Sequence, residues 1–201
     1  MDFLGKILVG GSQILMRVIG GKLKGRLIKF VKSSTTRPLK DSVKENIFNI
    51  IIHTNKFSVN LFNSNVLDVF SGIGSFGIEC ISRGAKKVTF IEKNFDISNV
   101  LKSNLINLSL TNNSKLVNDS IENFMIKKNK EKYRFFFFDP PYSDKNFYKT
   151  LKLLQKSKIF TSNHIVIIHR ERYSDEDYKN VINTLFSKVY GRSKIIFGTF
   201  I

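Results

Sequence analysis

Several residue types are scarce in this 201-residue sequence, and each scarcity excludes a class of site. Tryptophan is absent, although 19 phenylalanines supply aromatic bulk for a core. Cysteine occurs once, at Cys80, so neither an internal disulfide nor a structural zinc site of several thiolates can form. The histidines have no metal-ligand spacing. We therefore expect no metal, a reducing cytoplasmic setting, and a core position for Cys80.

Long apolar runs are also missing. No 18 consecutive apolar residues occur, so we expect neither a membrane-spanning helix nor a membrane partner. Residues 1–15 are mildly apolar but carry Asp2 and lack a clear basic start, which argues against a signal peptide. We interpret residues 1–15 as an N-terminal extension.

Acidic residues are few. The 33 Lys and Arg outnumber the 16 Asp and Glu, which gives a net charge of +17. Such a field attracts polyanions, and nucleic acid is the expected partner. A/T-biased coding is the alternative explanation, because the chain is rich in Lys, Asn, Ile and Phe. The distribution favours nucleic acid, since residues 3–40 hold nine Lys or Arg and no acid.

The order of predicted elements indicates an α/β fold. Alternating residues and glycines over 16–31 predict a short basic β-hairpin, and a helix is predicted from Asp41, with Asp41 as its N-cap. Strands then alternate with helices, which predicts a doubly wound, mostly parallel sheet of seven strands. The predicted strands are 65–70, 87–92, 115–117, 134–139, 165–168 and an antiparallel pair, 187–190 with 195–200; the helices are 75–83, 97–108, 120–126, 147–154 and 175–186.

Three predicted strands end in residues that suit a nucleoside ligand, and open parallel sheets bind ligands beyond these ends. Asp68 precedes a turn at residues 71–74 (SGIG), whose glycines let the backbone approach a ligand closely. Glu92 ends the next strand, where a carboxylate can accept ribose hydroxyls. Asp119 follows the third strand and can meet an adenine amino group.

Two cofactors fit this pattern. Gly72, Gly74 and Gly77 have the spacing of the dinucleotide fingerprint, so NAD is one candidate. Asp68 would repel a pyrophosphate but suits the amino group of a methionine moiety, which favours S-adenosylmethionine. The expected cofactor-binding residues are Asp68, Phe70, Ser71, Gly72, Gly74, Glu92, Lys93, Asp119 and Ser120.

The segment 137–142 (FFDPPY) carries the most chemical information. A strand delivers Asp139 to the carboxyl edge, and two prolines fix the turn and leave the Pro140 carbonyl as an acceptor. Two acceptors can hold both hydrogens of an exocyclic amine, turn its lone pair toward a methyl donor, and stabilise the positive charge that develops. Tyr142 can stack on a base that has left its helix. We expect Asp139, Pro140 and Tyr142 to be catalytic.

Short motifs in a fixed order carry a family resemblance. They are 16–26 (MRVIGGKLKGR), 36–38 (TRP), 43–45 (VKE), 48–49 (FN), 66–72 (VLDVFSG), 82–85 (SRGA), 88–92 (VTFIE) and 139–142 (DPPY). From Met16 nearly to the C-terminus, the chain resembles the bacterial RsmD-type 16S ribosomal RNA guanine-N2 methyltransferases. Two departures are Leu39-Lys40, where the family usually has Thr residues, and His169-Arg170, where the fifth strand usually ends in an acid.

The resemblance implies a Rossmann-like class I methyltransferase that methylates N2 of one guanine in 16S rRNA. It implies a partly assembled small ribosomal subunit as substrate, and we expect a monomer. Residues 16–58 then form a basic, RNA-contacting hairpin and helix, and residues 59–201 form the methyltransferase domain. The expected phosphate contacts are Arg17, Lys22, Lys24, Arg26 and Arg37.

Two other functions stay open. One is a DNA or RNA adenine-N6 methyltransferase with the same motif, and the other is a non-catalytic RNA-binding protein on this scaffold. Intact Asp68, Glu92 and Asp139 argue against the second. His169 lies at a strand end, where we expect a surface or packing role, with pocket lining as the alternative.

Overall fold

A two-stranded hairpin opens the described chain, which comprises residues 14–30, 39–126 and 131–201 of a computed structural model. Strands β1 (Ile14–Arg17) and β2 (Leu27–Phe30) pair antiparallel, with Ile14 opposite Phe30. The predicted hairpin is confirmed, and its first strand begins before the expected start at Met16. Residues 1–13 of the predicted extension lie outside the described residues.

The central sheet has seven strands. They are β3 (Asn65–Val69), β4 (Lys87–Ile91), β5 (Ser114–Val117), β6 (Tyr133–Phe138), β7 (Phe160–Glu171), β8 (Ile182–Tyr190) and β9 (Ser193–Phe200). Their order is β5-β4-β3-β6-β7-β9-β8, with β3 to β7 parallel and β9 antiparallel to both neighbours. The predicted doubly wound, mostly parallel sheet is confirmed.

Helices cover both faces of this sheet. They are α1 (Asp41–His53), α2 (Ser75–Ser82), α3 (Phe95–Asn107), α4 (Ile121–Ile126) and α5 (Phe147–Ser157). Successive residues of a strand point to opposite faces, and the apolar run Phe135 to Phe138 of β6 is therefore buried on both faces. Phe135 and Phe137 pack with α1, α2, α3 and the hairpin, whereas Phe136 and Phe138 pack with α4 and α5.

Two local predictions were wrong. The segment predicted as a helix over 175–186 contains no helix, and β8 begins at Ile182 within it. Tyr178 and Val181, two of the apolar residues at helical spacing, are buried in a loop. The residues from Ile182 onward form β8 and pair with β9. Asp41 is the first residue of α1 and not its N-cap; Lys40 takes that position without a side-chain cap. Asp41 instead forms ion pairs with Arg17 and Lys44.

Buried polar side chains fasten the hairpin to the domain built around the seven-stranded sheet. On α2, Glu79 accepts a hydrogen bond from the Ile19 amide at 2.9 Å, and Ser82 Oγ donates to the Gly20 carbonyl and accepts from the Leu23 amide. The side chain of Lys44 is fully buried, and its Nζ donates to the Arg17 carbonyl of the hairpin at 3.4 Å and to Ser75 Oγ at the start of α2 at 3.1 Å. Because such groups are costly to bury unpaired, they fix one position for the hairpin.

Asn104 makes the second connection. From α3 its Oδ1 accepts from the Lys29 amide at 2.8 Å, and its Nδ2 donates to the carbonyls of Lys29 at 3.0 Å and Ile73 at 3.2 Å. Asn104 is 1% exposed. One buried amide therefore joins the basic hairpin to the glycine turn after β3.

None of the helices in the described ranges is both long and apolar enough to cross a membrane.

Substitution of Asn104 by Leu should destabilise the protein, because it leaves the Lys29 and Ile73 backbone groups without partners. We expect the free energy of unfolding to fall by about 2–4 kcal/mol, measured by denaturant titration. Asn107→Leu is the matched control, since Asn107 is exposed on the same helix. Equal effects of the two substitutions would show that Asn104 does not hold the hairpin.

Candidate functional site

The predicted site residues meet at the carboxyl edge of the sheet, beside the point where the strand order reverses. The chain runs from β3 outward to β4 and β5, then returns to β6 on the other side of β3. Val69 pairs with Phe138 and with Ile91, so Phe70, Asp139 and Glu92 follow at the same level on three neighbouring strands. Crevices at such reversals are where open α/β sheets bind ligands.

The turn after β3 is shaped to approach a ligand. Phe70, Gly72 and Gly74 have positive φ angles of 63°, 54° and 85°. A Cβ built on Gly72 would meet no atom within 4 Å, so this backbone borders open space. A Cβ on Gly74 would lie 2.3 Å from Leu101 Cδ1, so Gly74 lies against the packed core. The two glycines therefore have different surroundings, and Gly72 is the one that borders open space.

Asp68 is a buried acid, and one of its two carboxylate oxygens accepts no hydrogen bond from the described residues. Its Oδ2 accepts from the Gly77 amide at 3.0 Å, whereas its Oδ1 is buried and receives no hydrogen bond from the described residues. Burial raises the pKa of Asp68 well above its ordinary value; the Gly77 hydrogen bond opposes this rise, and the charges of Asp139 and Glu92 add to it. An ammonium group fits this position, because it would supply both the missing donor and the missing charge.

Glu92 ties the glycine turn to the end of β4. Its Oε2 accepts from the Gly72 amide at 2.9 Å, and its Oε1 accepts from the Asn94 amide at 2.8 Å. The Asn118 side chain donates to the Glu92 carbonyl at 2.9 Å, which links β4 to the end of β5. Each carboxylate oxygen keeps a further lone pair, so this fixed carboxylate can also accept from a diol. Lys93, the next residue, is exposed.

Asp119 and Ser120 occupy the start of α4. Asp119 Oδ1 accepts from the Ser120 amide and from Asn123 Nδ2, both at 2.8 Å, and Ser120 Oγ accepts from the Asn123 amide at 3.2 Å. Both side chains therefore help to cap the helix. The structure places them at the predicted edge, and their predicted contact with adenine stays a prediction. Ser71, also predicted to bind cofactor, has a buried hydroxyl without a described partner.

Asp139 is held by His169, for which the structure favours the alternative of pocket lining over the expected surface or packing role. His169 Nδ1 lies 2.8 Å from Asp139 Oδ1, and His169 Nε2 lies 2.9 Å from Ser193 Oγ. A carboxylate can only accept, so the imidazole donates from Nδ1 and its Nε2 can accept from the serine hydroxyl. His169 is thus neither a surface nor a mere packing residue. The pairing of Phe138 with Ile168 predicts this contact once β7 is extended beyond its expected end.

Arg170 organises the backbone of the Asp-Pro-Pro-Tyr loop. Its guanidinium lies within 3.5 Å of the Pro140 carbonyl, 3.2 Å of the Pro141 carbonyl and 3.3 Å of the Tyr142 carbonyl. Glu176 holds the same guanidinium in an ion pair. The contact to Pro140 is at the limit of a hydrogen bond, so this carbonyl keeps most of its capacity to accept. The Tyr142 ring lies edge-on to His169, with centroids 6.1 Å apart.

The basic residues predicted to contact RNA lie on the hairpin surface. Arg17, Lys22, Lys24 and Arg26 are all exposed, and none of the four is buried in the core. Arg17 is paired with Asp41 at 3.6 Å, which reduces its availability for a phosphate. Arg37, the fifth predicted contact, lies outside the described residues.

A separate cavity of about 600 Å³ lies at the opposite edge of the sheet. Its lining includes residues 54 and 55 and 57–62, which lead into the amino end of β3, and Arg83. It contains none of the predicted site residues. In the described ranges, no group of His, Cys, Asp and Glu side chains is arranged to hold a metal ion.

Comparisons with known proteins agree with this architecture. The family model described as conserved hypothetical protein 95 matches residues 16–199. Ribosomal RNA small subunit methyltransferase D of Buchnera aphidicola subsp. Baizongia pistaciae is 33% identical over 167 residues, which are 83% of this chain and 82% of that protein. The solved structure of yhhF from Escherichia coli has a TM-score of 0.75 at 25% identity and covers 92% of this chain and 98% of its own.

One structural neighbour contains a ligand. The crystal structure of SMU.776 complexed with SAH has a TM-score of 0.66 at 14% identity, and it covers 93% of this chain and 56% of its own. This likeness shows the fold alone. Together, the neighbours give the chain a methyltransferase-like fold.

The raised pKa of Asp68 predicts a stability cost. Because the folded pKa exceeds the ordinary value of 3.8, folding stability falls as pH rises from that value through the folded pKa. Asp68→Asn removes the buried charge and keeps an acceptor for Gly77. We expect it to raise the free energy of unfolding by about 1–3 kcal/mol at pH 7 and by much less near pH 4, measured by thermal and denaturant unfolding.

Asp96→Asn is the control for this experiment, because Asp96 is an exposed acid on α3. It should change stability little at either pH. A less stable Asp68→Asn protein at pH 7, or a gain that is the same at both pH values, would contradict the assigned burial cost.

Proposed function

The chain belongs to the RsmD family, whose model is described as conserved hypothetical protein 95, and we propose that it transfers a methyl group from S-adenosylmethionine to the exocyclic N2 of a guanine in 16S rRNA. The substrate is rRNA in a partly assembled small ribosomal subunit, and the enzyme acts as a monomer. The observation that carries the reaction is the convergence of Asp139 with Asp68 and the glycine turn at one sheet edge.

The residues around the turn fit S-adenosylmethionine. The unused Oδ1 of Asp68 would accept from the ammonium of its methionine part, and Glu92 would accept from its ribose hydroxyls. The open space beside Gly72 leaves room for the ligand. The proposed residues are those predicted above, with Phe70, Ser71, Lys93, Asp119 and Ser120 at the rim. When bound, the cofactor supplies an electrophilic methyl group on a cationic sulfur.

Asp139 and Pro140 would activate the amine. An exocyclic amine on a purine is a weak nucleophile, because its lone pair is delocalised into the ring. The Asp139 carboxylate and the Pro140 carbonyl would each accept one amine hydrogen, which turns the lone pair toward the methyl group. The same acceptors stabilise the positive charge that develops on nitrogen. Positioning of the two reactants supplies much of the remaining rate enhancement.

Tyr142 and the hairpin would hold the nucleic acid. Tyr142 is half-buried beside the catalytic loop and would stack on a base flipped out of its helix, which contributes about 1–3 kcal/mol per stacked base. The exposed Lys22, Lys24 and Arg26 would contact phosphates, and Arg17 joins them if its pair with Asp41 opens. These contacts position the RNA without reading its sequence.

We propose guanine and not adenine for two reasons. The chain resembles guanine-N2 methyltransferases, and its relatives include a protein named ribosomal RNA small subunit methyltransferase D. The N6 amine of adenine presents the same two hydrogens. The two acceptors by themselves therefore predict methylation of an exocyclic amine and do not distinguish guanine from adenine. The buried Asp68 at the same sheet edge as Asp139 favours an enzyme over an RNA-binding protein without catalytic activity.

Asp139→Ala tests the proposed activity. Loss of the main amine acceptor should lower the rate of transfer from radiolabelled S-adenosylmethionine to unmodified small subunits by at least about 10²-fold. Cofactor affinity, measured by calorimetry, should change little. Asp175→Ala removes an exposed acid from the loop after β7 and serves as control. Undiminished turnover of Asp139→Ala would refute the catalytic role.

Charge reversal on the hairpin tests the RNA contact. Lys24→Glu with Arg26→Glu should weaken RNA binding and reduce the slope of log affinity against log salt by about 1–2, because each lost phosphate contact contributes about 0.7–0.9. The control pair is Lys152→Glu with Lys156→Glu on the exposed side of α5. An unchanged slope in the hairpin variant, or an equal change in the α5 variant, would exclude a specific hairpin contact.

A further inference from the structure

We propose that His169 is a positioning residue for the methyl-transfer reaction. It holds one oxygen of the Asp139 carboxylate and thereby leaves the other oxygen as the acceptor for the substrate amine. This inference rests on the proposed function, because it assumes that Asp139 binds the amine.

The register of two neighbouring strands brings the two residues together. Phe138 of β6 pairs with Ile168 of β7, and Asp139 and His169 follow them on neighbouring parallel strands. Side chains at matching positions of adjacent strands point to the same face, so the contact is built into the register. The distance of 2.8 Å between Asp139 Oδ1 and His169 Nδ1 is that of a charge-assisted hydrogen bond.

The imidazole is itself fixed. Ser193, at the start of β9, lies 2.9 Å from His169 Nε2 on the side opposite Asp139. The Tyr142 ring meets the imidazole at an interplanar angle of 74°. Hydrogen bonds at both nitrogens and an aromatic contact define one orientation of the ring. A fixed imidazole can therefore impose one orientation on the carboxylate.

Exposure separates the roles of the two side chains. The side chain of His169 is 9% exposed, whereas that of Asp139 is 22% exposed. Asp139 is thus the member of the pair that a base can reach, and His169 acts through it. From the described residues, the second carboxylate oxygen of Asp139 receives no hydrogen bond, so it is open to a new donor.

His169 and its neighbour Arg170 hold different parts of the catalytic loop. Arg170 contacts the backbone carbonyls of Pro141 and Tyr142, and His169 contacts the Asp139 side chain. An aspartate at the end of a strand is otherwise free to rotate about χ1 and χ2, and this rotation would misplace its oxygen. Misplacement of a catalytic group by about 1 Å can lower a rate by about 10²-fold.

Two substitutions separate the two nitrogens of His169. Asn places its amide nitrogen near the position of Nδ1, so His169→Asn can still donate to Asp139. Gln reaches toward the position of Nε2, so His169→Gln keeps a partner for Ser193 and loses the one for Asp139. We expect kcat to fall by about 10- to 100-fold in His169→Gln and by no more than about threefold in His169→Asn, with KM for S-adenosylmethionine unchanged in both.

A purely structural role would lower the activity of both variants in step with their melting temperatures. Equal losses in the two variants, or full activity in His169→Gln, would therefore overturn the proposal. A change confined to the KM for S-adenosylmethionine would also overturn the proposal.

A second measurement separates this proposal from the proposed function. In the ¹⁵N-labelled wild-type protein, imidazole NMR should show His169 with its proton on Nδ1 in a strong hydrogen bond, and Asp139→Ala should abolish that signature. A wild-type protein that transfers no methyl group would refute the proposed function. The NMR result would still show whether His169 donates a hydrogen bond to Asp139. A His169 without a bonded Nδ1 proton would refute the positioning contact whatever the activity.

Discussion

The parallel pairing of β3 with β6 is the constraint on which the site depends. These strands are far apart in sequence, yet Val69 lies opposite Phe138, and each strand delivers its next residues to the same edge. A shift of one residue would turn Asp68 or Asp139 to the other face of the sheet. In the observed register Phe135 and Phe137 lie in one core and Phe136 and Phe138 in the other, so β6 is packed on both faces. The register of β3 with β6 thus sets the geometry of the site.

Charge is divided between two regions of the molecule. The whole chain carries a net charge of +17, yet Asp68, Glu92 and Asp139 converge at the sheet edge. A positive surface attracts a polyanion, and a negative pocket suits a cofactor that carries a cationic sulfur and an ammonium. Burial raises the pKa of Asp68, so its charged form is expected to cost folding stability, as is common for a group kept for binding. Asn104 and Glu79 join the two regions, because both connect the hairpin to helices that flank the glycine turn.

The parts of this structure that follow from local pattern could be predicted from the sequence. Continuous apolar strands, the glycine turn and the Asp-Pro-Pro-Tyr loop are local signals, and the sheet and its ligand edge follow from them. The failures concern contacts between distant segments. Residues 175–186 have helical spacing, but pairing with β9 converts part of them to strand. The contact of His169 with Asp139 was not predicted, because β7 was expected to end at residue 168 and the two residues are 30 positions apart in the sequence.

The product of the reaction tests the account most directly. Unmodified small ribosomal subunits would be incubated with the protein and methyl-labelled S-adenosylmethionine, and the rRNA then digested to nucleosides and separated by mass spectrometry. The account predicts that the label appears in N2-methylguanosine, at about one methyl group per subunit. Label in N6-methyladenosine would contradict the choice of base, and no label in any nucleoside of active, cofactor-binding protein would contradict the proposed RNA methylation.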